Sequence, residues 1–478
     1  MDERHPLRRA YDGDHVRALG HAVVDSVVDH LSQSTDRVLP WKPPEEAREA
    51  FRRDYPVRGD VQGAMHALRV AIQSSTRLHD GRCLGHQVSA PLPAAAFADG
   101  VASLLNNGMG VYEMGPAGVP IEQNVIRFLA SRLGFGSEAD GILTSGGSLG
   151  NLTALLAARQ RGAGWNLWQE GTRGGPPLAI LVGADAHYSV TRAAKIMGLG
   201  ASGAVPVALD GERRMDPASL AEAYARCERE GVRPIAVVAS ACSTAAGAFD
   251  PLDAIADFCE PRNLWLHVDG AHGASMVWSQ RHRHRVHGIA RADSVLWDLH
   301  KLMMMPALVS AVIYRNGEDS YLPFHADASY LFEQDPREEW FNLGHRTLEC
   351  TKRMMALEVD FCLRAYGTEV FEAHVDGVMD LTQTFARMIR TAPHFQLSFE
   401  PQANIVCFRY APGGVVAPCE MQRLLRREVI RRGRYYLVQT RIDGEWHLRS
   451  ALMNPFTTGD DLQGLLTELL DVAANLPL

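Results

Sequence analysis

Between residues 96 and 370 the sequence switches repeatedly between short runs that are apolar throughout and longer stretches with helical spacing. No other feature constrains the fold as much. The runs at 141–144, 178–183, 234–241, 264–269 and 308–314 are rich in Ile, Leu, Val and Ala, and they lack the polar–apolar alternation of a strand with one wet face. Between or beside them, 151–159, 190–197, 217–230 and 251–259 read as helices. Strands buried on both faces and separated by helices require a mainly parallel sheet covered on both sides. The predicted large domain is therefore α/β and spans 96–370.

The flanks read differently. In 15–31, Val16, Leu19, Val23, Val27 and Leu31 recur at three- and four-residue spacings and form one apolar helical stripe. Such a stripe must cover its own core or a partner subunit. Trp41-Lys42-Pro43-Pro44 breaks the helix, and 1–95 is read as an N-terminal helical segment. Beyond 370, the stretch 395–410 reads as extended chain and 419–432 as a helix. A hairpin at 436–454 turns at Asp443-Gly444, and a last helix covers 460–475. This predicts a small α+β domain over 371–478.

Composition removes several function classes. A formal net charge of −8 argues against a nucleic-acid surface, which needs a basic excess. The run Arg281-His282-Arg283-His284-Arg285 reads as a solvated loop. The eight cysteines form no CxxC pair, so neither a zinc site nor a disulfide framework is indicated. No run of about 18 apolar residues is present to span a membrane, and the opening Met-Asp-Glu-Arg-His has no signal character. A cytoplasmic enzyme acting on a small molecule is expected.

Four motifs carry chemistry. Thr144-Ser145-Gly146-Gly147-Ser148 joins an apolar run to a helix, where glycines allow close backbone approach and the helix N-terminus favours an anion. Ala186-His187-Tyr188-Ser189 places a flat imidazole just past a strand end. His267-Val268-Asp269-Gly270-Ala271-His272-Gly273 ends a buried strand in a carboxylate able to pair with a cationic ring nitrogen, or to cap the next helix. Asp298-Leu299-His300-Lys301 sets a lysine before Leu-Met-Met-Met-Pro, an apolar setting that disfavours the ammonium form and makes the amine nucleophilic. Each alone has a bland structural reading. Their joint order, each at the end of an apolar strand, points to pyridoxal phosphate bound through Lys301.

These motifs together resemble the group II pyridoxal-phosphate-dependent amino-acid decarboxylases, which include glutamate, cysteine-sulfinate, 2,4-diaminobutyrate and aromatic-amino-acid decarboxylases. The resemblance covers about 75–455. It implies the type I fold of pyridoxal enzymes, a homodimer with the active site at the subunit interface, and decarboxylation of an L-amino acid to an amine and CO2. It implies that Lys301 forms the Schiff base, that Asp269 pairs with the pyridine nitrogen and that His187 stacks on the ring. Lys301 and His187 are then the catalytic residues. Gly147, Ser148, His300 and Ser294 would bind phosphate, and Ser240 and Ala271 would line the ring. Asn107, Arg353 and Arg449 would contact substrate.

The sequence departs from the family pattern in two places. Ala239-Ser240-Ala241-Cys242-Ser243-Thr244 stands where Gly-Thr-Thr is common. The loop 332–342 lacks the family's mobile tyrosine, leaving Tyr330 or His325 as substitutes. That departure motivates an alternative fate for the carbanion, either oxidative deamination to an aldehyde or β-elimination. The stretch 106–122, with Val119 where the aromatic branch has threonine, is similar to the glutamate and diaminobutyrate branches and favours a small, polar or short-chain amino acid. A competing class is a metalloenzyme using His267, Asp269 and His272 or the cluster His282, His284 and His287. No metal is expected.

Overall fold

The computed structural model of the chain describes residues 6–324 and 338–476. A seven-stranded sheet forms its centre. In chain order the strands are β1 (Asp140–Thr144), β2 (Leu178–Gly183), β3 (Ala204–Val207), β4 (Arg233–Ser240), β5 (Trp265–Asp269), β6 (Ser294–Asp298) and β7 (Ser310–Tyr314). Across the sheet they run β1-β7-β6-β5-β4-β2-β3. Strands β3, β2, β4, β5 and β6 pair in parallel. Strand β7 is antiparallel to both neighbours, so β1 points the same way as β6. This is the α/β architecture that the alternation predicts.

Side chains of the strands alternate between two apolar layers. Ala179, Leu181, Val237 and Val268 pack with Val125, Leu129, Leu220 and Ile255. Ile180, Val182, Ala236, Val238 and Trp265 face the other way, against Leu155, Ala158 and Val190. The long helix Gly147–Gly162 lies against that second face, with Gly150 to Arg159 all buried. Strand β3 and strand β6 are not among the runs singled out by apolar content. The first is a short, half-exposed edge strand, and the second opens on Ser294 and closes on Asp298.

The C-terminal region holds a second sheet of β8 (Phe395–Leu397), β9 (Ile405–Tyr410), β10 (Val438–Ile442) and β11 (Glu445–Ala451), ordered β10-β11-β9-β8 and antiparallel throughout. The hairpin between β10 and β11 turns at Asp443 (φ 50°) and Gly444 (φ 84°), the left-handed pair that a two-residue hairpin loop demands. Helices Cys419–Arg432 and Gly459–Asn475 contribute Leu425, Val429, Leu462 and Leu466 to the core of this region.

The apolar stripe of the helix Gly13–Ser32 is not fully sealed by its own chain: Val16 is 49% exposed and Leu19 is exposed, Val23, Val27 and Leu31 are only half-buried, and Ser26 is the helix's one buried residue. Among the described residues no helix is long and apolar enough to cross a membrane.

Candidate active site

The parallel strands deliver their carboxyl ends to one edge of the sheet, and a cavity of about 260 Å3 opens there. Thr144 ends β1 and leads into Ser145, Gly146 and Gly147. The loop after β2 carries His187, while β4 ends at Ser240, β5 at Asp269 and β6 at Asp298. Gly147, Ser148, His187, Ser240, Asp269, Ala271, His300 and Lys301 all line this cavity. Residues 124 positions apart, Gly147 and Ala271, thus meet because parallel strands repeat one direction.

Gly146 adopts φ 110° at the cap of the helix that begins at Gly147. A Cβ on residue 147 would lie 2.8 Å from an Asp298 carboxylate oxygen, so only glycine fits. The free N–H groups of this helix start, with the hydroxyl of Ser148, form an anion seat in the cavity wall, while the Ser145 hydroxyl is taken up by Glu349 at 2.6 Å.

Lys301 Nζ lies 2.9 Å from Asp298 Oδ2. Ser310 Oγ donates to Asp298 Oδ1 at 2.5 Å, and Ser89 Oγ donates to the Lys301 carbonyl. Burial alone would raise the Asp298 pKa, but the Lys301 ammonium, His300 and the Ser310 hydroxyl outweigh it and hold the carboxyl below its ordinary range. The His300 Nδ1–H donates to the Val309 carbonyl at 2.8 Å, which fixes its ring beside the cavity.

Asp269 is buried, and both of its oxygens face donors. Asn151 Nδ2 donates to Oδ2 at 3.0 Å and the Ala271 N–H to Oδ1 at 3.2 Å. His187 caps the helix Tyr188–Ile196, accepting from Ser189 N at 3.3 Å. Burial lowers the His187 pKa despite the nearby Asp269 carboxylate. Below Ser240, the fully buried Asp250 accepts from the Ser240 N–H at 2.7 Å and the Met215 N–H at 2.6 Å, and burial pushes its pKa up to about 6.

Ser294, Asn107 and Arg353 do not line this cavity. Ser294 lies at the opposite end of β6 from Asp298, fully buried, with its hydroxyl engaged by His267 and Trp265. It is therefore dropped as a phosphate contact, because a strand's two ends cannot reach one ligand. Arg353 is held by Asp99 at 2.7 Å and Ser103 at 2.6 Å, and Asn107 donates to the Leu105 carbonyl. Arg449 on β11 is buried beside the cavity wall, donating to the Thr244 carbonyl at 2.8 Å and Gln87 Oε1 at 2.9 Å. Loop 332–342 falls mostly outside the described residues, as do His325 and Tyr330.

Two residues escaped the sequence reading. Asp298 was visible three positions before Lys301 at a strand end, and Asn151 one helical turn after Gly147. The metal reading gains nothing: His267 is engaged by Ser294 and Asn151, His272 by Asn404, and no group of three or more potential ligands converges among the described residues.

The donor set fits pyridoxal phosphate. An amine, a carboxylate for a ring nitrogen, a flat ring and an anion seat surround one cavity, and the glycine at 147 leaves room for the Asp298 carboxylate that faces Lys301.

Comparison with known proteins agrees with this geometry. The family described as "Pyridoxal-dependent decarboxylase conserved domain" matches residues 44–411. A rat protein named cysteine sulfinic acid decarboxylase is 32% identical over 98% of this chain and 99% of its own length. The human acidic amino acid decarboxylase GADL1 is 29% identical, covering 94% of this chain and 88% of the relative. The crystal structure of mouse CSAD superposes with a TM-score of 0.91 at 29% identity, over 97% of this chain and all of that one.

Proposed function

This chain belongs to the pyridoxal-dependent decarboxylase family, and from that premise we propose that it decarboxylates a short-chain acidic L-amino acid. It is a carboxy-lyase that uses pyridoxal phosphate to convert an amino acid into an amine and CO2. The acidic substrate is supported by relatives named for cysteine sulfinate and for acidic amino acids. The observation that carries the site assignment is the meeting of Lys301, Asp269 and His187 around one cavity.

When bound, pyridoxal phosphate supplies an aldehyde that captures amines and a protonated ring that delocalises the charge left at Cα. Lys301 holds the aldehyde, and its ammonium is balanced by Asp298 while the amine is free. Asp269 pairs with the ring nitrogen, oriented by Asn151 and the Ala271 N–H. His187 covers the ring, and Ser240 and Ala271 line it. Gly147, Ser148 and His300 take the phosphate. Arg449 is the substrate-carboxylate contact: it is buried, and its Nε has no partner among the described residues. A substrate carboxylate held at Arg449 would be the group released as CO2, which would separate decarboxylation from other fates at Cα.

The homodimer rests on exposed apolar surface. Phe97, Val101, Leu104 and Leu105 are exposed on the helix Pro93–Leu105, as are Val16, Leu19, Val24 and Val28 near the N-terminus. Leu308 lines the cavity yet is 55% exposed, so a second chain would complete the wall. Asn107 and Arg353 sit on adjoining segments, tied by Met109 N to the Lys352 carbonyl at 3.1 Å, and would serve the partner's cavity. A cytoplasmic setting is consistent with eight cysteines that are all unpaired.

Product analysis tests this reading. Cofactor-loaded protein is offered the twenty common amino acids, cysteine sulfinate and 2,4-diaminobutyrate, and CO2, amine, ammonia and peroxide are measured. Amine and CO2 in equal amounts from aspartate, glutamate or cysteine sulfinate are expected. Turnover confined to aromatic substrates overturns the substrate class, and ammonia with peroxide overturns simple decarboxylation.

A further inference from the structure

Behind the cavity, a chain of buried polar side chains crosses the layer between the helix Gly147–Gly162 and the sheet. Its hydrogen-bond directions can be worked out from one end to the other. Both Asp269 oxygens face donors, so the Asn151 amide must present its Nδ2 to Asp269 (3.0 Å). Its Oδ1 then faces His267 Nε2 at 2.8 Å, and because an amide oxygen only accepts, that nitrogen carries the hydrogen. Burial lowers the His267 pKa to about 4, so the ring is neutral at pH 7 and its Nδ1 is a bare lone pair. The Ser294 hydroxyl must therefore donate to Nδ1 at 2.8 Å, leaving its oxygen to accept from the indole N–H of Trp265 at 2.9 Å.

The other branch runs toward the cavity. The second Nδ2 hydrogen of Asn151 goes to Ser189 Oγ at 2.8 Å. The Ser189 hydroxyl then donates to His187 Nδ1 at 2.8 Å, which also accepts from the Ser189 N–H. The one proton of a neutral His187 is left on Nε2.

We propose that Trp265, Ser294, His267, Asn151 and Ser189 form a one-directional hydrogen-bond relay of positioning residues. It fixes which face the Asn151 amide shows to Asp269 and which nitrogen of His187 bears hydrogen. The hydroxyl at 294 is an anchor four strand residues from Asp298, about 13 Å along β6, and it acts on the cofactor only through the relay. The link to the cofactor rests on the assignment of Asp269 to the ring nitrogen, whereas the tautomers depend on the relay alone.

The test uses full-length protein labelled with 15N-histidine, first free of cofactor. Long-range 1H–15N spectra are expected to show His267 and His187 both protonated at Nε2, and either one protonated at Nδ1 overturns the relay. In Ser294→Ala, a fraction of His267 protonated at Nδ1 is expected, with affinity for pyridoxal phosphate lowered about tenfold, the scale of one neutral hydrogen bond. Ser294→Thr restores both readouts. Trp265→Phe, a milder change, shifts them in the same direction and serves if Ser294→Ala fails to fold. Tautomers and affinity unchanged in the Ser294 and Trp265 variants overturn the proposal. Tautomers that follow the relay while Asp269→Asn leaves cofactor affinity unchanged overturn the Asp269 assignment instead.

Discussion

Lys301 and Lys352 pair with carboxylates in two regions of the same domain, and only one of them borders the cavity. Lys301 faces Asp298 with its side chain 19% exposed, beside Ser148 and His187. Lys352 pairs with Glu122 and donates to the Leu143 carbonyl at 2.7 Å, with its side chain 1% exposed. Burial lowers the Lys352 pKa against the pull of Glu122. Glu122 also accepts from the Leu143 N–H, so this second pair staples the 342–353 segment to β1. Both lysines precede methionines in the sequence, so an apolar neighbourhood alone does not distinguish a reactive lysine from a stapling one. Access to a cavity does.

The largest test of this contrast is Lys301→Ala. Turnover is expected to fall on the order of 10^4-fold or more, the scale seen when a covalent catalyst is removed. The cofactor's absorption should no longer be fixed by borohydride. Some stability is lost as well, because Asp298 is left buried without its ammonium, but Ser310 and His300 still face its carboxylate, so the loss is expected to be smaller than in Lys352→Met.

Lys352→Met reverses the pattern. Removing one partner of a sealed pair leaves Glu122 buried and uncompensated, at about 3–5 kcal/mol of stability, read by denaturant unfolding. The double change Lys352→Met with Glu122→Leu should recover most of that loss, to within about 1–2 kcal/mol of the parent. A double variant as unstable as the single one would mean that the pair contributes more than charge compensation.

The smallest effect concerns acid. His267, His374 and His447 are buried, with pKa values lowered to about 4, and His272 to about 3. Between those values and the ordinary 6.5, the unfolded chain binds more protons than the folded one. Stability is therefore complete above pH 6.5 and declines as pH falls toward 4. Asp298 acts lower on the scale: its depressed pKa stabilises the fold above the ordinary carboxylate range and is lost as pH falls through the folded value. His374 has no partner for either ring nitrogen among the described residues, so His374→Leu should flatten the fall of Tm between pH 6.5 and 5 without altering turnover.

Much of this was legible in the sequence because parallel strands buried on both faces are mostly apolar: β2 is apolar throughout, β4 is apolar between Arg233 and Ser240, and β5 keeps Trp265, Leu266 and Val268 around His267 and Asp269. The four motifs at strand ends likewise marked the cavity, since a parallel sheet gathers those ends. Strand β6 was harder to see because Ser294 and Asp298 break its apolar run, and each is satisfied only by tertiary partners: Trp265 and His267 for one, Lys301 and Ser310 for the other. For the same reason Ser294 was misread. Its spacing from Lys301 is visible in one dimension, but the side of the sheet edge on which it falls is not. Asn151 was passed over as an ordinary helical residue, because its partners Asp269 and Ser189 lie 118 and 38 positions away.

The reversed direction of β7 has a kinetic meaning. Asp298 at the end of β6 is paired with Ser310 at the start of β7, so Lys301 sits in a short loop closed by a local antiparallel hairpin. Hairpins close on a microsecond scale, ahead of parallel pairings that must wait for distant chain. The lysine and its Asp298 counter-ion can thus come together early in folding, while Asp269 and His187 arrive later. The β6–β7 pairing around Lys301 is therefore expected to gain protection ahead of the parallel pairings that bring in Asp269 and His187, an order that pulse-labelled hydrogen exchange would read.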